Sequence, residues 1–162
     1  MAKKSAGLLV YKWSDGELRL FLVHPGGPFW ARKDRGAWSI PKGEFYEGEE
    51  GLAAARREFR EEVGQEADGD FIALTPRPQP SRKTVHAWAV EGEVDPGKLA
   101  SNEFEMEWPP RSGRKQRFPE VDAGAWFSFA EAKVRIQPGQ VPILEELSAL
   151  LDARRRESGG RG

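Results

Sequence analysis

Cysteine is missing altogether from the 162 residues. No disulfide and no thiolate metal site can form, and nothing points to an oxidising compartment. Net charge is nearly missing too: 25 basic residues face 26 acidic ones, leaving −1. Such a chain does not hold nucleic acid by bulk charge, and no polymeric nucleic acid is expected as a partner. Long apolar runs are also lacking. The run from Ala6 to Tyr11, after two lysines, is too short for a signal region followed by a cleavage site. Nothing reaches the roughly 18 residues that a membrane-spanning helix needs. A cytoplasmic protein with no membrane partner is the expectation. There is no internal repeat, and the length suits one domain, read as residues 1–157 with a frayed tail at 158–162. Against these absences stand six tryptophans and nine phenylalanines, enough for both a core and planar ligand surfaces.

Apolar alternation predicts strands at residues 5–13 and 18–24, joined by the turn Ser14-Asp15-Gly16-Glu17 as a hairpin. Further strands are expected at 70–75, 83–93, 102–108 and 121–129. The prolines at 76, 78 and 80 exclude a central strand there. A helical turn is read at 130–136 and a final amphipathic helix at 141–156, whose three arginines suit its C-terminal dipole. Two loops are basic: residues 29–36, with Arg32, Lys33 and Arg35, and residues 109–117, with Arg111, Arg114, Lys115 and Arg117. Each is either a solvated connector or a phosphate-facing loop.

The most informative stretch is Gly43 to Gln65. Residues 49–63 hold no proline, and their only glycine is Gly51, near the start. Good helix formers dominate, and Leu52, Ala55, Phe59 and Val63 make one apolar stripe. Gly64 follows where helices often end in a left-handed residue. At about 100° per residue, Glu58, Glu61 and Glu62 share one sector beside that stripe. Three carboxylates crowded together repel one another unless a cation lies among them. Hard oxygen ligands on a rigid element suit Mg²⁺, with Mn²⁺ able to substitute.

The fixed offsets of Gly43, Glu49, Arg57, Glu58, Glu61, Glu62 and Gly64 resemble the signature of the Nudix hydrolases, which cleave a nucleoside diphosphate linked to another group. Gln65 departs from it, where the family pattern has an aliphatic residue. The resemblance implies an α/β fold, the Nudix α/β/α sandwich with a mixed central sheet. It gives the metal to Glu58, Glu61, Glu62 and the Gly43 carbonyl. It places Glu61, Arg57 and Glu58 in catalysis, with Glu61 first choice to activate water and Glu103 or Glu105 behind it. Arg57 would orient a metal-binding carboxylate, and Glu49 would steady the loop-to-helix corner.

Trp38-Ser39-Ile40-Pro41-Lys42-Gly43 resembles the branch that includes dinucleoside polyphosphate and diphosphoinositol polyphosphate hydrolases. The implied partner is a small-molecule nucleotide, bound by Lys42, Trp38, Arg32, Lys83 and His86. A homodimer is left open. Two other readings stand beside this one. Pro80 is a weak marker of ADP-ribose specificity in the family. A nucleotide sensor without turnover would share the fold, but sensors tend to lose signature carboxylates and this chain keeps all of them.

Overall fold

The computed structural model describes residues 3–159. Its strands are β1 (Lys4–Ser14), β2 (Glu17–Pro25), β3 (Lys42–Glu44), β4 (Ile72–Ala73), β5 (Arg77–Pro78), β6 (Thr84–Glu91), β7 (Glu103–Glu107), β8 (Lys115–Pro119) and β9 (Val121–Ser128). Its α-helices are α1 (Gly51–Val63), α2 (Phe129–Arg135) and α3 (Val141–Gly159). The main sheet runs β4-β6-β1-β2-β9, with β3 paired to β1 and β5 to β6. Only β1 and β6 pair in parallel, so the sheet is mixed.

β1 is buried on both faces, which is why its sequence reads as an almost unbroken apolar run. Its alternation divides the core. Leu9 and Tyr11 join Leu20, Leu22, Ile136, Ile143, Leu144 and Leu147 under α2 and α3. Ala6, Leu8 and Val10 join Phe21, Val23, Ala54, Ala55, Phe59 and Val63 under α1. The sheet is thus covered by helices on both sides, the α/β/α sandwich expected.

α1 forms where the stripe predicted it. It ends at Gly64, whose φ of 76° is left-handed and whose N–H donates to the Arg60 carbonyl at 2.8 Å. A Cβ there would stand 2.6 Å from the Ala100 carbonyl oxygen, so only glycine fits.

Residues 38–43 are held from three sides. Ser39 bridges Val23. Pro41 accepts from the Leu8 N–H at 3.1 Å. Gln140, fully buried, accepts from the Ile40 N–H at 3.0 Å and donates to Ser39 Oγ at 2.9 Å. These bonds fix the path that delivers Lys42 and Gly43 to the site.

Two segments differ from expectation. The last third of the basic loop at 109–117, Lys115 to Arg117, belongs to strand β8, which pairs with β7 as a separate two-stranded arm. Lys115, Gln116 and Arg117 are all exposed, so no apolar alternation marked them as a strand. α3 continues to Gly159, two residues into the segment read as a tail, while residues 160–162 lie outside those described. Among the described residues no helix is long and apolar enough to cross a membrane.

Gln140→Leu keeps the volume but strands the buried Ile40 N–H. We expect a loss of about 1–3 kcal/mol, seen as a lower Tm by calorimetry. An unchanged Tm would show that this bond does not hold the segment.

Candidate active site

Arg57, on the exposed-side edge of α1, gathers the acids. Its Nε and Nη2 grip both oxygens of Glu49, each at 2.8 Å. Nη1 donates to Glu58 Oε1 at 2.7 Å and to Glu61 Oε2 at 3.1 Å, and Nη2 also reaches the Glu44 carbonyl at 3.1 Å. The Tyr46 ring lies 3.6 Å from the guanidinium, covering it. The Arg57 bonds, with a further one from the Tyr46 N–H, hold the Glu49 carboxyl down at about 2. Arg57 therefore touches carboxylates, as a residue that orients them must, and Glu49 ties the loop before α1 to the helix.

Glu58, Glu61 and Glu62 open onto one cavity of about 440 Å³ with Lys42, Gly43 and Glu120. Glu58 spends Oε1 on Arg57 and lays Oε2 against Gly43, where a Cβ would fall onto the carboxylate. Glycine is required here by that close approach. Glu62 Oε2 accepts from the Lys42 backbone N–H at 3.3 Å. Its carboxyl is pushed well up, first by burial, then by the charge of Glu58, with Lys42 opposing. Burial, then Arg57 in the opposite sense, sets Glu58, which is raised overall. Glu120 is raised by burial and by the charges of Glu58 and Glu61.

Among the described residues no three acidic or imidazole side chains are gathered tightly enough to hold an ion as they stand. Arg57 holds Glu58 and Glu61, and the Lys42 N–H holds Glu62. The donor set still fits a hard divalent cation. The carboxylates on this cavity repel one another, Glu58 keeps one oxygen free of Arg57, and Gly43 leaves room beside it.

The residues expected to bind substrate fall into two groups. Lys42 lines this cavity and two neighbours, one of about 290 Å³ that also holds Lys83 and one of about 220 Å³ that also holds Trp30, Ser39 and Gln137. Lys42 therefore sits by the acids, and Lys83 lies on the cavity beyond it, paired with Glu44 at 3.2 Å. Arg32, Trp38 and His86 line none of these cavities. Arg32 is exposed on its loop. Trp38 donates Nε1–H to Asp34 at 2.7 Å and packs edge-on against Phe127 and His24. His86 stacks edge-on with Phe45, and burial lowers its pKa.

Glu103 and Glu105 are exposed on β7, facing Arg117 at 3.3 Å and Lys115 at 3.8 Å on β8. The acid from outside the signature that does reach the cavity is Glu120, at the foot of the arm. Its N–H donates to the Asn102 carbonyl at 2.8 Å, and the Asn102 N–H donates to the Glu61 carbonyl at 2.8 Å. The one trace in the sequence is that Glu120 is the sole acid between Glu107 and Asp122.

A family model for the NUDIX domain matches residues 3–147. The chain belongs to the Nudix family. That family is one of pyrophosphohydrolases acting on nucleotide phosphoanhydrides, and the chain is an enzyme of that class. Solved structures with the Nudix fold overlay most of it. The Caenorhabditis elegans Ap4A hydrolase, in a binary complex, is 21% identical at a TM-score of 0.61, over 93% of this chain and 98% of that one. The solution structure of the Escherichia coli ORF135 protein is 27% identical at 0.56, over 94% of each chain. The NUDIX domain of Shewanella oneidensis NrtR, complexed with ADP ribose, is 13% identical at 0.57, over 96% of this chain and 88% of that one. A search of curated proteins found no match.

A Nudix carboxyl with a raised pKa keeps its proton in the folded chain at pH values where the unfolded chain has lost it. Stability therefore falls as pH rises from the ordinary carboxylate value through the raised one. In chelator at pH 8, Glu62→Gln should raise Tm by about 3 °C, the shift that roughly 1 kcal/mol gives at this size. The gain should vanish near pH 4. A loss of stability at pH 8 would mean that Glu62 is not a buried charge.

Proposed function

We propose that the protein hydrolyses a phosphoanhydride of a nucleoside polyphosphate with Mg²⁺, a dinucleoside polyphosphate or a nucleoside triphosphate being the substrate. The observation that carries this is Lys42: one lysine stands at the meeting point of three cavities, beside five carboxylates, Glu44, Glu58, Glu61, Glu62 and Glu120. A chain of phosphates can then cross the acidic cluster and continue past the ammonium on either side.

Glu58, Glu61, Glu62 and the Gly43 carbonyl would hold the metal. When bound, it neutralises charge on the non-bridging and leaving oxygens. Glu61 accepts a proton from the attacking water as its oxygen bonds to phosphorus, and the anhydride P–O bond breaks toward the departing phosphate. Arg57 fixes the Glu58 and Glu61 side chains throughout. Glu120, whose pKa is raised by burial and then by Glu58 and Glu61, is the second group able to take that proton. Lys42 donates to a phosphate oxygen beyond the scissile bond. Lys83 lies further along in the same direction, although Glu44 already holds its ammonium at 3.2 Å.

Phosphate release across a panel of dinucleoside tetraphosphates, nucleoside triphosphates and ADP-ribose, with Mg²⁺ and then Mn²⁺, tests this. Cleavage of the polyphosphates is expected, and Glu61→Gln should lower kcat by about 100-fold or more with Tm preserved. A full rate in that variant removes Glu61 from its role. ADP-ribose as the best substrate would give weight to Pro80, which lines the cavity with Lys42 and Lys83. Binding without any cleavage would make the protein a sensor.

A further inference from the structure

The arm formed by β7 and β8 is unexplained by stability. Residues 103–119 place no side chain in either core cluster. Yet the arm is fastened beside the acids with care for its direction. At its foot the Gly26 N–H donates to the Glu120 carbonyl at 2.9 Å, and a Cβ on Gly26 would run into the Pro119 carbonyl. One residue on, a Cβ at Gly27 would stand 3.0 Å from Phe104 Cζ. The Gly26-Gly27 turn thus lets the tip of the Phe104 ring come close to it, with Phe118 tilted beside that ring at 6.0 Å between centroids. Phe104 so held lines the acidic cavity, together with Trp30 from the loop that follows the turn. Farther out, Phe29, 61% exposed, meets Trp108 edge-on at 5.7 Å. Aromatic surface therefore continues from the carboxylates out along the arm.

The cavity on the other side of Lys42 is of another kind. No aromatic residue lines it; Lys42, Lys83, Gln79, Ser81 and Gln137 supply its polar groups, and Pro80, Val85 and Pro138 give apolar walls without a ring face to stack on. The Gln79 amide nitrogen is already engaged with the carbonyls of Gly139 at 2.9 Å and of Arg77 and Pro78 at 3.2 Å. Two ammonium groups and a spent amide suit phosphate oxygens better than the edge of a base.

We propose that the arm is the nucleobase platform: the base of the substrate stacks on Phe104 and Trp30, and its phosphate chain runs across the acids toward Lys42 and Lys83. Stacking on a ring face accepts any base, so this platform selects for a planar aromatic group rather than for one base. The inference rests on the nucleotide reading of the site, and it names which end of the substrate lies where.

The test compares binding of ATP and GTP with that of inorganic tripolyphosphate, in Mg²⁺, by tryptophan fluorescence, while phosphate release is followed separately. Wild type should prefer the nucleotides by about tenfold or more, and Phe104→Ala and Trp30→Ala should each erase most of that preference. Phe104→Leu, which keeps apolar bulk but loses the ring face, should do the same with Tm close to wild type. The platform is overturned if these variants keep the nucleotide preference, or if Gln79→Ala, on the cavity away from the arm, removes it instead. Failure to cleave any phosphoanhydride would sink the hydrolase reading, yet the comparison of nucleotide with tripolyphosphate would still decide the platform.

Discussion

One guanidinium keeps the site assembled. Carboxylates crowded around a half-buried cavity would drive one another apart, and burial makes each of them dearer to charge. Arg57 answers three of them at once, Glu49 through two parallel bonds and Glu58 and Glu61 through a shared nitrogen. The planar fork of arginine makes this geometry possible, and a lysine could not reproduce it. Because Glu49 precedes α1 and Glu58 and Glu61 lie on it, the same bonds fix the corner where the chain enters the helix. The geometry of the acidic cluster and local folding therefore rest on one side chain. Glu62 stands outside this network, held by a backbone N–H, and burial pushes its carboxyl well above its ordinary value.

The second organising constraint is the close approach of β3 to β1. Gly7 pairs with Lys42, and a Cβ on Gly7 would come within 2.7 Å of the Pro41 carbonyl oxygen. That contact sets Lys42 and Gly43 against the face of the sheet, where Glu58 and Glu62 meet them from α1. Gln140, reaching in from the turn before α3, completes the hold on this segment. The position of Lys42 among three cavities is thus the product of a sheet pairing, two glycines and one buried amide.

What could be read in the sequence follows from how local each signal was. α1 was legible because its stripe, its acids and Gly64 lie within one short stretch, and periodicity and spacing report on such stretches directly. The β1–β2 hairpin was legible for the same reason. The arm was half legible: β7 alternates, but β8 opens with three exposed polar residues and pairs with it across a turn of exposed residues, so only the partner strand gave a signal. Glu120 was not legible, since it owes its place to hydrogen bonds with Asn102 and Gly26, remote in sequence. Trp38 was placed with the substrate because it stands four residues before Lys42. Its indole is instead taken up by Asp34, Phe127 and His24, contacts that no local pattern announces.

The arm leaves and rejoins the fold at nearly one point, since the Glu120 N–H meets the Asn102 carbonyl across its base. An excursion closed in this way can lengthen, shorten or change its face without moving α1, Arg57 or the sheet. The aromatic arm and the acidic cluster are then carried by separable lengths of chain. A lineage can rebuild the arm by rewriting a loop, and leave the acidic cluster as it was.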